Sequence, residues 1–327
     1  MSILSKKYFH DEAAAFAHLE ALLWTDGPVC PHCGTVGQAG RLEGVRGKNG
    51  EVRLGLWKCY SKECRKQFTA RVGTVFESSH IGLPKMLQAV YLMSASKKGC
   101  SAHQLHRTLE ITYKSAWFLA HRIREAMRDG ALAPMGGKGG IVEVDETYIG
   151  KQEGHAQEKG AAHKNIVLTL VERGGGARSF HITSFGLAEV VPIVRMNIRR
   201  ESMLMSDEAG QYKHVGKDFA DHGSVVHSRY EYVRREFHLQ PGGYTVRMIH
   251  TNTVEGYYSI FKRGMKGVYQ HCSEKHLHRY LAEFDFRYNH RVRLGYSDDA
   301  RTNQALKGIV GKRLTYRGPS SVAAKAP

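Results

Sequence analysis

Apolar positions follow two different periods along the chain, and the change falls near residue 135. Before it, residues 85–97 (KMLQAVYLMSASK) carry apolar side chains at helical spacing, and Pro84 stands where a first-turn proline is tolerated. Ser101 and Thr112 are N-cap residue types ahead of two short amphipathic runs, to Leu109 and to about Arg128, separated only by Glu110 and Ile111. Two short helices on so tight a connection resemble a helix-turn-helix. Beyond residue 140, the β-branched and aromatic runs 141–149 (IVEVDETYI), 165–172 (NIVLTLVE) and 178–183 (RSFHIT) predict a strand meander. Residues 187–198 return to helical periodicity, residues 202–206 (SMLMS) form a short apolar run ending at Asp207, and helices are predicted near 253–262 and 274–288.

Strand, strand, strand, helix, strand is the order of a ribonuclease-H-like mixed sheet, so the expected class is α/β behind a mostly helical region. Residues 130–140 (GALAPMGGKGG) hold five Gly and one Pro, which predicts a flexible linker over 131–140. The small, polar run from Gly318 predicts a partly disordered tail within 301–327. The expected division is an irregular region at 1–78, a helix-turn-helix at 79–130, the linker, and an α/β domain with C-terminal helices at 141–300.

Composition narrows the function. Hydrophobic residues make up 42% and charged residues 24%, which excludes a disordered chain. The 48 Lys and Arg outnumber the 31 Asp and Glu, a net charge of +17, and such a field attracts polyanions, nucleic acid first. No apolar run approaches the ~20 residues of a bilayer span, and residues 1–12 lack the apolar core of a secretory signal. A cytoplasmic protein without a membrane partner is expected. Six Cys are too few for a disulfide scaffold.

Four of those Cys form pairs. Cys30 and Cys33 have two residues between them, Cys59 and Cys64 have four, and 25 residues separate the pairs. Two close thiolate pairs supply the four soft ligands of a tetrahedral structural Zn2+, with no open position for chemistry. Cys100 and Cys272 are isolated and are expected to be small buried hydrophobes.

The acids carry the catalytic reading. Asp145 lies inside an apolar strand, where a carboxylate is costly unless paired or metal-bound, and alternation sets Glu143, Asp145 and Thr147 on one face with Glu146 pointing away. Asp207 ends the next apolar run, so adjacent strand ends can bring the two acids together. Glu255 lies on a predicted helix with Asn252 three residues before it and Lys262 seven after, all on one face. Carboxylates on rigid elements can hold hard divalent cations beside a phosphodiester.

The ordered set Asp145, Asp207, Glu255 and Lys262, behind a four-cysteine ribbon and a helix-turn-helix, resembles the bacterial insertion-sequence transposases of the DDE class with an N-terminal zinc ribbon, the ISXO-like family. The stretches GTVFESS (73–79), SAWFLAHRIREAM (115–127), VDETYIG (144–150), VEGYYSIFKRGMKGVYQH (254–271) and HLHRYLAEFDFRYNHR (276–291) carry the same resemblance, which spans roughly residues 10–300. It implies Mg2+ or Mn2+ at Asp145, Asp207 and a third ligand, with Lys262 on DNA. Some relatives carry Asn at the third position. Between Asn252 and Glu255 the negative oxygen ligand is preferred here, because it contributes more to a divalent site than an amide does.

The implied activity is cleavage at element ends and joining of the 3′-hydroxyl to target DNA, by a homodimer or larger assembly acting at the bacterial nucleoid. Arg122 and Arg124 on the second short helix, Lys262 and Arg263 beside the acids, and Arg279, Arg287 and Arg291 farther on are the expected DNA contacts. His227 and His250 follow apolar runs and could reach the site to shuttle protons, with a structural role the stronger expectation; Tyr212 could contact DNA but is expected to be a packing residue. Two other readings stand beside this one: a metal-dependent nuclease or resolvase of the same fold, and a non-catalytic DNA-binding regulator.

Overall fold

The computed structural model describes residues 3–47, 49–130, 133–156, 159–241 and 243–315, and the chain divides into two compact units. The first takes residues up to 96, residues 100–128 and the C-terminal segment from 297. It starts with α1 (Glu12–Leu23), capped by Asp11, whose carboxylate accepts from the Ala14 amide at 2.7 Å. The antiparallel strands β1 (Ala39–Arg41), β2 (Trp57–Cys59) and β3 (Gln67–Phe68) follow. Helices α2 (Leu83–Ala95), α3 (Ala102–Leu109) and α4 (Tyr113–Met127) come next. Ser101 and Thr112 cap α3 and α4 by accepting from the Gln104 and Ser115 amides.

Two features depart from the sequence reading. Residues 301–315 are no tail: helix Asp298–Lys307 buries Ala305 and Leu306 inside this first unit, with Ile309 just beyond, and Arg301 donates to the Ser94 carbonyl at 3.1 Å. The apolar residues 305, 306 and 309 recur at helical spacing in the sequence, which is the signal the small, polar ending obscured. Residues 316–327 lie outside those described. Arg122 and Arg124, expected on DNA, are 8% and 2% exposed, and Arg122 donates to the Glu77 carbonyl at 3.0 Å. The second half of α4 is surrounded by its own unit, so its arginines serve packing; α3 presents the outward basic side chain, Arg107.

The second unit is a mixed five-stranded sheet in the order β6-β5-β4-β7-β8. Here β4 is Ile141–Ile149, β5 Asn165–Glu172, β6 Ala177–Ile182, β7 Met203–Ser206 and β8 Asp221–Ser224. The first three form the predicted antiparallel meander, and β7 and β8 add in parallel after α5 (Leu187–Asn197) and α6 (Gly210–Gly216). A two-stranded ribbon, β9 (Arg234–Gln240) with β10 (Gly243–Ile249), then leads to α7 (Asn252–Gly264), a π-helical turn at Met265–Tyr269, and α8 (Leu277–Asn289).

Both faces of the sheet are covered. Val142, Val144, Leu168, Leu170 and Leu204 pack on α5 and α6, while Val167 and Val171 pack on Tyr257, Tyr258 and Phe261 of α7 and Leu281 and Phe284 of α8. Burial on both sides explains why β5 reads as a nearly continuous apolar run. Each such side chain contributes roughly 1.5–3 kcal/mol. Where a flexible linker was expected, residues 135–137 are held against the following domain. Met135 exchanges backbone hydrogen bonds with residues 197 and 199, and the Gly137 amide donates to Ser202 Oγ at 2.8 Å. Gly136, at φ +78°, lies so close to Ser202 that a Cβ there would collide with it. At Gly136 the missing side chain is what permits this close approach. Ala131 and Leu132 lie outside the described residues.

Candidate active site

The parallel pairing of β4 with β7 sets Glu143 beside Met205. Two residues farther along the same register, Asp145 comes beside Asp207, which the end of β7 delivers without any helix or turn of its own. Carboxylate oxygens of Asp145, Glu146 and Asp207 all lie within 4.8 Å of one another. Glu146 was expected to point away. Alternation does send it to the α6 face, but the β7 ladder stops opposite residue 143, leaving that edge of β4 open for its carboxylate to reach the other two. Tyr212 of α6, fully buried, holds it there by donating to Glu146 Oε2 at 2.6 Å.

Three carboxylates this close repel when charged. Burial, reinforced by Glu146 and Asp207, pushes the Asp145 carboxyl up to about 8. Burial likewise raises Glu146 and Asp207. A hard divalent cation is the counter-charge such an all-oxygen set accepts, so the residues present fit a divalent metal.

Glu255 stands across from this cluster on α7, with its side chain 46% exposed and close enough to add to the rise at Asp145. Its Oε1 accepts from Thr251 Oγ1 at 2.9 Å and lies 3.5 Å from His227 Nε2. His227 therefore lies beside Glu255, as one of the two sequence readings had it. Glu208, next to Asp207, secures that loop by accepting from the His227 and Ser228 amides at 2.7 and 3.1 Å. Asn252 is exposed at the first turn of α7. Lys262, two turns below Glu255, lies over the Tyr258 ring at 6.0 Å, and Arg263 is exposed beside it. Arg279 is half-buried next to His276, whereas Arg287, expected to face phosphates, is 7% exposed and paired with Glu283.

Glu143 was given no role from sequence. Its carboxylate is fully buried, paired with Arg173 at 2.6 Å, and accepts from the Thr253 and Val254 amides at 2.7 and 3.0 Å and from Thr253 Oγ1 at 2.8 Å. Thr251 gives α7 no side-chain cap, so a strand residue satisfies the helix N-terminus from across the sheet. That bond fixes where Glu255 stands relative to Asp145. The only sequence signal was a second acid inside the apolar run, two residues before Asp145. His250, expected to be structural, lies 3.2 Å from Glu143 and is held below its usual range by burial and by Arg173.

In the first unit the four paired thiols converge as their spacing predicted. Cys30, Cys33, Cys59 and Cys64 bring their sulfurs within 4.8 Å of one another, with Cys30 and Cys64, and Cys33 and Cys59, 3.7 Å apart. Gly34, at φ +74°, closes the first knuckle. The donor set is that of a tetrahedral zinc. Cys100 is buried and Cys272 half-buried.

A mixed sheet with carboxylates gathered at the ends of adjacent strands, carried with a four-cysteine ribbon, is consistent with a transposase of the DDE class. Residues 138–289 match the ISXO2-like transposase domain and residues 10–67 the transposase zinc-ribbon domain, and the chain belongs to that family of insertion-sequence transposases. It is 26% identical over 302 residues to an uncharacterized protein in transposable element ISH50 of Halobacterium salinarum, covering 86% of this chain and 92% of that one. Among solved structures, it aligns at 16% identity and a TM-score of 0.21 with a chain from the cryo-EM structure of the simian T-cell lymphotropic virus intasome in complex with PP2A regulatory subunit B56 gamma. That alignment covers 39% of this chain and spans about half, 49%, of the other.

Proposed function

We propose that this transposase cleaves a phosphodiester at the end of its element and joins the resulting 3′-hydroxyl to target DNA at one site. The observation that supports the reading best is the gathering of Asp145, Glu146 and Asp207 oxygens within 4.8 Å at the ends of β4 and β7, opposite Glu255. Asp145 and Asp207 would hold Mg2+ or Mn2+, with Glu255 in preference to Asn252 as the third ligand. Cations held there would supply Lewis-acid polarisation of the phosphate, a more acidic attacking water and a counter-charge for the leaving oxygen.

The chain's own groups orient the substrate. Lys262 and Arg263 grip the DNA backbone beside the acids, and Arg279 extends that contact along α8. His227, 3.5 Å from Glu255, is placed to accept the proton of the attacking hydroxyl or water. Tyr212 and Glu143 keep Glu146 and α7 in position. Water and then the 3′-hydroxyl serve as nucleophiles, so no covalent protein–DNA intermediate is needed. The protein acts on DNA in the cytoplasm at the nucleoid, as a homodimer or larger assembly that pairs two ends.

The test is single substitution of the acids. Asp145→Asn and Asp207→Asn should each lower nicking of end-sequence DNA at least a thousandfold in Mg2+ or Mn2+ while leaving DNA affinity within about threefold. Wild-type nicking by either variant overturns the assignment, and unchanged metal-dependent cutting by Glu255→Gln with loss in Asn252→Ala transfers the third role to Asn252.

A further inference from the structure

The ribbon of β9 and β10 is turned inside out. Its register pairs Phe237 with Val246 and Leu239 with Tyr244, so alternation places these four side chains on one face. The opposite face carries Arg234, Glu236, His238, Thr245 and Arg247. That polar face is the one tied to the body of the unit. Arg247 pairs with Asp221 of β8 as well as with Glu236, and Arg234 donates to the Ser224 carbonyl at 2.8 Å. Ile249, the last residue on that face, is fully buried. The apolar face has no such cover: Phe237 is 65% exposed, Leu239 93%, Tyr244 66% and Val246 45%. Phe237 and Tyr244 touch edge to face across the ribbon, with ring centroids 5.5 Å apart, so the four form one contiguous patch. Among the described residues, β9 and β10 pair only with each other. Two strands alone are marginally stable in water, and an exposed patch of this kind marks an interface.

We propose that a second copy of this chain docks on the exposed face of the ribbon, the two ribbons packing apolar face to apolar face about a twofold axis. At these exposures the four side chains offer roughly 500 Å² per copy. The pair then buries about 1,000 Å², which is what a specific interface needs. The charge of the face does not suit DNA: its one cation is Arg235 at the base of the ribbon, whereas a phosphate backbone is held by several Lys and Arg. A second ribbon does suit it. Each strand contributes one aromatic and one aliphatic side chain, Phe237 with Leu239 and Tyr244 with Val246, so the patch presents the same mixture to a copy of itself turned by a half rotation, as an isologous contact requires. Stacking converts two marginal two-stranded sheets into a small sandwich with a shared core.

Pairing two element ends calls for two copies, so the inference deepens the proposed function and rests on it in that respect, but its test involves neither DNA nor cleavage. The full chain is sedimented alone over concentrations of about 0.5–50 μM. Wild type should run as a dimer, at twice the mass of the chain. Leu239→Glu and Phe237→Glu, both at positions more than half exposed, should each raise the dimer dissociation constant at least a hundredfold while keeping the wild-type far-UV circular dichroism. The milder Leu239→Ser should raise it at least tenfold, and keeps the test decisive if a charge disturbs the ribbon. Thr245→Glu, the same charge on the polar face, should leave the dimer intact. A wild type that stays monomeric over the whole range, or a dimer that survives all three substitutions on the apolar face, overturns the proposal. Equal dissociation by Thr245→Glu also overturns it, because the effect then belongs to the folding of the ribbon and not to its apolar face. A ribbon-linked dimer that never cuts DNA leaves this inference standing and overturns the catalytic one.

Discussion

Asp145 gathers the effects that matter at the scale of one residue. It is buried, faces two further carboxylates, and its carboxyl is pushed up to about 8, whereas in the unfolded chain it titrates near 3.9. Between those values the folded protein keeps a proton that the unfolded chain has released, so folding binds protons and stability falls as pH rises. Without added divalent cation, the thermal midpoint should therefore drop from pH 5 to pH 8, and Asp145→Asn should flatten that slope and raise the midpoint at pH 8. A wild type whose midpoint follows the variant's across this range contradicts the account. Asp145 was readable as a candidate because it lies inside an apolar strand while Asp207 ends the next apolar run; Glu143, an acid in the same strand, has a different task. Glu146 was not readable in this way, because alternation alone places it on the wrong face; only the early end of β7 opens the edge around which it reaches.

At the scale of elements, α7 is the part whose position decides the site, and Glu143 positions it. Removing the carboxylate with Glu143→Ala strands the Arg173 guanidinium and the first amides of α7, which should cost about 3–5 kcal/mol. Glu143→Gln keeps one acceptor, so it should fold, keep its DNA affinity and lose at least tenfold in cleavage kcat as Glu255 shifts. Unaltered kcat in the Gln variant would reduce Glu143 to a structural role. The elements themselves were largely readable: the caps at Ser101 and Thr112, the meander, and the cysteine knuckles all follow from local chemistry. What escaped depends on contacts distant in sequence. Residues 133–140 look like a linker until Ser202 is beside them, and Arg122 and Arg124 look like a recognition surface until Glu77 and the rest of the first unit enclose them. No local pattern distinguishes a glycine needed for close approach from one needed for motion.

For the whole molecule, the net charge of +17 pointed first to a polyanion. The structure redistributes that charge, withdrawing Arg122, Arg124 and Arg287 into the interior and leaving Lys262 and Arg263 near the acids and Lys151, Lys164 and Lys266 around a cavity. Basic side chains on the same helix as Glu255, near a gathered set of carboxylates, suit metal-dependent chemistry on DNA, a combination that a simple DNA-binding regulator does not need. Transposition differs from the work of a nuclease or resolvase of the same fold in its second step. The most direct measurement is therefore incubation of the purified protein with Mn2+ or Mg2+, precut end-sequence DNA bearing a 3′-hydroxyl, and a supercoiled plasmid. The account predicts covalently joined products in which that 3′ strand is linked to the plasmid; a protein that cuts or nicks the DNA under these conditions but joins none of it contradicts the account.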